Sequence, residues 1–470
     1  MKRKTNIFDV VIVGSGPAGV HAAYPLVEAG LYVAILDGGL DSKKKNGPMR
    51  EFPEAKITKD GHYYDFIKKS SSVFNKTYDL LQVKSNIEIF QSLAKGGLSE
   101  VWHGICDFYT KEELEVIGLP PKIIEKEYLE IAKRIHLQRE PKLDAHNTLL
   151  LKKSKEIDKL KDIVYQVPLV FDYRTSKVID DLVRFKNFRY IDNQVVTEIH
   201  DRGTYVEIQS TSIQTSSKRK TEAKFVVLAA GSINTTRILL RSFNLYNYKT
   251  SFLTKANYVI ACFHLRTLFK KSNNKSSDKG QIVLFIKDSI KKASGTFTQL
   301  YRLNPLVLEK VLKFVPLPKF VALPVISFLA PSIVIADARF PSFEAKQNYC
   351  MLKKDMSGKD ILELYYQESP HEVEEQKKGG KTIEQKLRLL GLIPLKKVYD
   401  HISSHYAGGV PYLKKPGKLS VDARGKLHQA KRIYVADSST WRALPAKAPT
   451  LTIMANASRI GKNVLKNFTL

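Results

Sequence analysis

The chain has 470 residues, 43% of them hydrophobic, so a disordered or fibrous class is excluded and two or three lobes of roughly 100 to 200 residues are expected. Its 76 Lys and Arg against 47 Asp and Glu leave a formal charge of +29. That balance favours a negatively charged neighbour, yet no zinc spacing, RNP motif or basic zipper accompanies it, so nucleic acid is not expected.

In chain order, Phe8 to Val13 reads as a buried parallel strand, Pro17 to Ala29 as a helix and Tyr32 to Leu36 as a second strand, which makes a βαβ opening. The short apolar lead into glycine lacks a signal-peptide cleavage pattern, so secretion is not expected. Phe225 to Leu228 reads as a third strand, followed by a helix through Leu240. Arg432 to Val435 reads as a fourth, followed by a helix from Pro449 to Val464. The fold class is therefore α/β: a Rossmann-type nucleotide domain built from residues 1–140, 191–254 and 401–470, with an α+β substrate lobe from 141–190 and 255–400. Clusters at Lys43 to Lys45 and Lys270 to Lys279 read as loops. Cys106, Cys262 and Cys350 are odd in number and far apart, which fits a reducing, cytoplasmic setting and offers no metal site.

Gly14, Ser15, Gly16, Pro17, Ala18 and Gly19 sit after the first strand and open the first helix, where a dinucleotide fingerprint belongs. Gly14 permits the turn, Gly16 lets the backbone approach a diphosphate, and Gly19 lets helix and strand pack closely. Asp37, at the end of the second strand, is placed to accept from ribose hydroxyls. Together these predict a bound dinucleotide.

Five pieces of the sequence carry a resemblance. They are GSGPAG at Gly14 to Gly19, AKGGLSEVWHG at Ala94 to Gly104, FVVLAAGSINTTRILL at Phe225 to Leu240, HYAGG at His405 to Gly409, and the closing run Ile433 to Gly461. Their order and spacing resemble the glucose-methanol-choline (GMC) oxidoreductases across nearly the whole chain. The middle lobe is similar only in outline. The resemblance implies FAD, a flavin-edge loop at Gly96, Gly97 and Ser99, and an adenine-side strand at Val196. It also implies cofactor contacts at Ala230, Gly231 and Asp437, and a flavin-facing helix start at Pro449, Thr450 and Leu451. From the residues alone, Asp437 also reads as a cap for a following turn. Some members attach flavin through a His at the position of Val101, so non-covalent FAD is expected, with His103 as the alternative attachment point.

His405 matches the family's acid-base position, and a neutral imidazole suits removal of a hydroxyl proton as hydride leaves for flavin N5. The family's second hydrogen-bonding group falls at Ala448, which can neither donate nor accept. Adjacent Lys447 is expected to extend to solvent, and His401 matches no family position. The expected reaction is oxidation of a hydroxyl on a sugar, amino sugar or glycolipid, the sugar preference coming from similarity to polysaccharide-cluster relatives. A flavin-dependent reductase or isomerase, or a non-catalytic flavin protein at a membrane, remains as an alternative. The electron acceptor is not legible.

Residues 303 to 340 are strongly apolar, yet five prolines and Lys310, Lys313 and Lys319 break them. They are too interrupted to span a bilayer. The expectation is a loop in the substrate lobe, with Leu306 to Val315 lying against an anionic membrane surface or packed inside.

Overall fold

The computed structural model describes residues 7–40, 81–268, 280–287, 295–302, 318–400 and 404–468. The lysine clusters, His401 and Leu306 to Val315 lie outside these.

The largest sheet has seven strands. Its parallel part runs Phe188–Ile191, Val33–Leu36, Phe8–Val13, Lys218–Leu228, with Ile433–Val435 also parallel to the last. These strands are short and apolar, with Val10 to Ile12 and Val33 to Leu36 fully buried, as a sheet covered on both faces requires. The third predicted strand is longer than expected because its polar first half, Lys218 to Ala223, turns antiparallel to Val206–Ser212, which in turn pairs Gln194–Asp201. One strand thus serves a buried parallel core and a half-exposed meander. The strand Phe188–Ile191 belongs to this sheet and spans the expected lobe boundary at 190.

The first helix, Pro17–Glu28, carries Pro at its first turn, where the missing N–H is harmless. It packs against the last helix, Thr450–Leu465. Gly461 permits that approach, since a Cβ there would stand 2.4 Å from the carbonyl oxygen of Ala22. The two ends of the polypeptide are thereby fused into one layer.

A second, six-stranded sheet is antiparallel throughout, in the order Leu392–Asp400, Asn257–His264, Ile333–Arg339, Gly295–Arg302, Ile282–Lys287, Val164–Gln166. One face carries Tyr258, Ile260, Cys262 and Leu300 into a closed core under the helix Pro370–Leu389. The other face carries Asn257, Val259, Gln299, Asp337 and Arg339 towards the seven-stranded sheet. A smaller sheet, Val83–Ser85, Asp360–Tyr365, Tyr349–Lys354 and Thr250–Ser251, shares a core with the seven-stranded sheet.

The apolar stretch is not a loop where it is described. Lys319–Leu329 is a helix with Pro324 inside it, and Ile333–Arg339 is an inner strand of the lobe sheet. Ala322 and Ile326 pack on Ile333 and Ile335, while Phe320 and Phe328 remain 80% and 63% exposed. Among the described residues, no helix is long and apolar enough to cross a membrane.

Candidate active site

A cavity of about 1020 Å³ lies between the two large sheets, at the upper end of the usual size for small-molecule sites. Its floor is the glycine turn. Gly14 has φ +100°, and a Cβ there would stand 2.5 Å from the carbonyl oxygen of Ala229, so only glycine fits. Gly19 is equally constrained, with a notional Cβ 1.9 Å from the oxygen of Gly14. At Gly16 and Gly231, by contrast, a Cβ would meet nothing within 4 Å. Both open positions line the cavity, leaving the bare backbone at the start of Pro17–Glu28 accessible to an anion.

Ser15 ties three segments together. Its Oγ donates to Asp37 Oδ2 at 2.7 Å and accepts from the Gly96 N–H at 2.9 Å. Asp37 also accepts from Tyr190 Oη (2.8 Å) and the Gly39 N–H (3.0 Å). Burial raises its pKa although these donors oppose the rise. Gly97 faces Gly16, with a notional Cβ 3.6 Å from the Gly16 Cα. Ser99 donates to the Gly96 carbonyl at 2.8 Å and bonds Thr175 at 2.6 Å, which fixes the loop.

Among the sequence-predicted positions, Gly14, Gly16, Pro17, Ala18 and Asp37 line this cavity, as do Gly97, Ser99, Val196, Ala230, Gly231, Asp437, Pro449, Thr450 and His405. Three do not. Gly19 packs against the turn, Gly96 holds the loop, and Leu451 is fully buried in the core. Asp437 caps the turn Ser438–Thr440 through the Ser439 N–H (3.0 Å), and it accepts from the Gly231 N–H (3.0 Å) and Thr235 Oγ1 (2.5 Å). Both its oxygens are engaged by the protein, and one of these bonds holds the Gly231 N–H.

His405 precedes the two-residue strand Tyr406–Ala407, whose pairing with Leu253–Thr254 sets it near Lys255. Arg339 Nη1 donates to His405 Nδ1 at 3.1 Å, and Arg339 Nη2 donates to Asp337 Oδ2 at 3.2 Å. Because guanidinium only donates, the neutral ring keeps its lone pair on Nδ1 and its hydrogen on Nε2. Burial, then the charges of Lys255 and Arg339, hold the imidazolium pKa well below its usual value. Lys255 is itself fully buried, donating to the carbonyls of Ala446 (3.1 Å) and Lys447 (2.6 Å), and burial depresses its pKa strongly.

Lys447 does not extend to solvent as expected. It is buried, paired with Glu113 Oε2 at 3.2 Å and donating to the Phe108 carbonyl at 2.9 Å. The apolar body of the lobe closes over it, so an internal carboxylate takes the place of water. Ala448 packs with Ile105, Val283 and Phe297, so the wall is apolar where the resemblance places a second polar group. Val101 and His103 both line the cavity.

Asn257, Gln299, Asp337 and Arg339 were missed from the sequence. For Asp337 and Arg339 a signal was present in IVIADARF, where two charged residues alternate within an otherwise apolar strand. Such alternation marks a strand with one polar face.

Residues 348–457 match the family model described as GMC oxidoreductase. This supports membership of the GMC oxidoreductases. The match runs from the strand Tyr349–Lys354 through His405 and Asp437 into the last helix, and such membership implies an oxidoreductase. No match was found among curated proteins.

Proposed function

We propose that the chain binds FAD without covalent attachment and oxidises a hydroxyl group of a sugar, amino sugar or glycolipid. The observation that carries this reading is the continuity of one cavity from the bare backbone at Gly14 and Gly16 to the polar sheet face around His405. A dinucleotide and a hydroxylated substrate would lie end to end in it.

The residues fit the cofactor. The N–H groups opening Pro17–Glu28 face the space left at Gly16, which suits a diphosphate. Asp37 accepts from ribose hydroxyls by exchanging its bond to Tyr190, and Thr450 opens the last helix at the cavity wall. FAD, when bound, supplies the acceptor for the two electrons leaving the substrate carbon. Val196 belongs to the adenine side in this reading.

The substrate end is polar and sided. Asn257 and Gln299 offer donors and acceptors, and Asp337 and Arg339 offer one charge of each sign. His405 acts as proton acceptor at Nδ1. Arg339 preserves that lone pair, and a substrate hydroxyl that takes Arg339's place on Nδ1 delivers its proton there. The neighbouring cations keep the ring neutral beforehand and make it a weak base. A glycolipid source is favoured by the exposed Phe320 and Phe328 on a helix whose other side packs near Tyr301, a residue that also lines the cavity. The chain's charge of +29 would favour docking of that helix on an anionic membrane surface.

Two experiments test the reading. Anaerobic bleaching of the bound flavin should occur with members of a panel of sugars, nucleotide sugars and lipid-linked sugars; bleaching by none of them would remove the sugar assignment. Salt-sensitive co-sedimentation with anionic liposomes should be lost in Phe320→Asp plus Phe328→Asp, and failure of the wild type to bind would leave a soluble sugar as substrate.

A further inference from the structure

Arg237 lies on the helix Ser232–Ser242 and is only 4% exposed, yet it lines the cavity. Its Nε and Nη2 are sealed from solvent with no hydrogen-bond partner. A buried guanidinium in that state carries an uncompensated desolvation cost.

Among the described residues, the carboxylate whose charge acts on it is Asp360, which is already held by Arg241, by Lys354 at 2.6 Å and by Tyr246 Oη at 3.1 Å. Lys359 lines the same end of the cavity. Among the described residues the surplus at this end is therefore positive, and Arg237 stands on a helix rather than on a surface loop. Burial, followed by the charge of Arg241, pulls the Arg237 pKa down to about 10, the direction that an arriving anion would reverse.

We infer that Arg237 is the anchor of an anion subsite in this cavity, taking a phosphoryl or carboxylate group that supplies the missing acceptor. Guanidinium suits such groups because it offers several N–H donors in one plane. The anion comes from one of two sources: the diphosphate of the bound dinucleotide, or a separate ligand beside it. The first source rests on the dinucleotide reading, whereas the second does not.

The test uses the full-length protein and Arg237→Met, which keeps bulk and removes the donors. Calorimetry of ADP and of adenosine on the cofactor-stripped chain is the first arm. If the diphosphate is the anion, the variant weakens ADP about tenfold or more and leaves adenosine unchanged. Melting of the cofactor-loaded protein in inorganic phosphate, against chloride at equal ionic strength, is the second. If the anion is separate, phosphate raises the wild-type melting point and not that of the variant. Either result supports the subsite and assigns its source. A variant that binds ADP as the wild type does and responds equally to phosphate overturns it. If the wild type binds no ADP, the dinucleotide reading fails and the phosphate arm alone decides this inference. In the cofactor-stripped protein without added anion, Arg237→Met should melt at or above the wild type, because an uncompensated cation has been removed. Should it fail to fold, Arg237→Lys enters the same two arms, with a partial loss expected in whichever arm responds and no loss in either counting against the subsite.

Discussion

Arg339 donates to Nδ1 of His405 at 3.1 Å, and that single bond fixes which nitrogen of the ring holds the lone pair. If His405 is the proton acceptor, His405→Ala should leave cofactor binding intact and slow flavin reduction by substrate on the order of 10²-fold. Stopped-flow reduction at the wild-type rate would remove the assignment. Because cationic neighbours and burial depress the ring's pKa, the acid limb of the wild-type reduction profile should fall well below pH 6.5.

Three rings make stability depend on pH. Burial and Arg134 lower His21 to about 3, burial with His264 and Arg302 lowers His146 to about 3, and His405 is lowered as described. Each stays neutral in the folded state while the unfolded ring gains a proton below about pH 6.5. Their contribution is therefore full above pH 6.5 and is lost as pH falls towards the folded values, by up to about 1.4 kcal/mol per pH unit for each ring. Urea unfolding at pH 7 and pH 5 measures this, and equal stability at the two would contradict it.

Two glycines of the same turn should separate function from folding. Gly16→Ala adds a methyl group where no atom lies within 4 Å, whereas Gly19→Ala drives one to 1.9 Å from the Gly14 oxygen. The first should fold like the wild type but bind FAD about tenfold or more weakly, since it fills the approach to the backbone. The second should lose roughly 1 to 3 kcal/mol of stability or more, as overpacking does. Melting of the stripped proteins and cofactor titration distinguish the two.

The buried pair Lys447 and Glu113 supports the wall beside Ala448. Glu113→Ala leaves the ammonium without its carboxylate and also removes the bond that Glu113 Oε2 accepts from the Thr110 N–H. A loss of about 3 to 5 kcal/mol is expected, the scale for breaking a buried pair from one side. Chemical denaturation reads it, and a change under 1 kcal/mol would mean that water reaches Lys447.

The elements around Gly14 were legible because they are short-range patterns. A strand, GSGPAG, a helix and Asp37 lie within one βαβ unit, and each glycine has a local geometric reason. His405 was legible only through resemblance, since its neighbours arrive from distant segments. Arg339 reaches it from a strand 66 residues earlier, and no periodicity reports such a pairing. Lys447 was misread because an exposed lysine is the ordinary outcome, and its partner Glu113 is remote in sequence. The strand Ile333–Arg339 was hidden within a proline-broken apolar run whose composition matched a loop as well as a core strand. Arg237 carries no signal in the sequence beyond its place in a helix, and only its burial without a partner sets it apart.

The measurement that bears most directly on the account is identification of the chromophore released when the purified protein is denatured. FAD, recovered in the soluble fraction after acid precipitation, is the predicted result. A colourless protein that binds NAD alone would contradict the account.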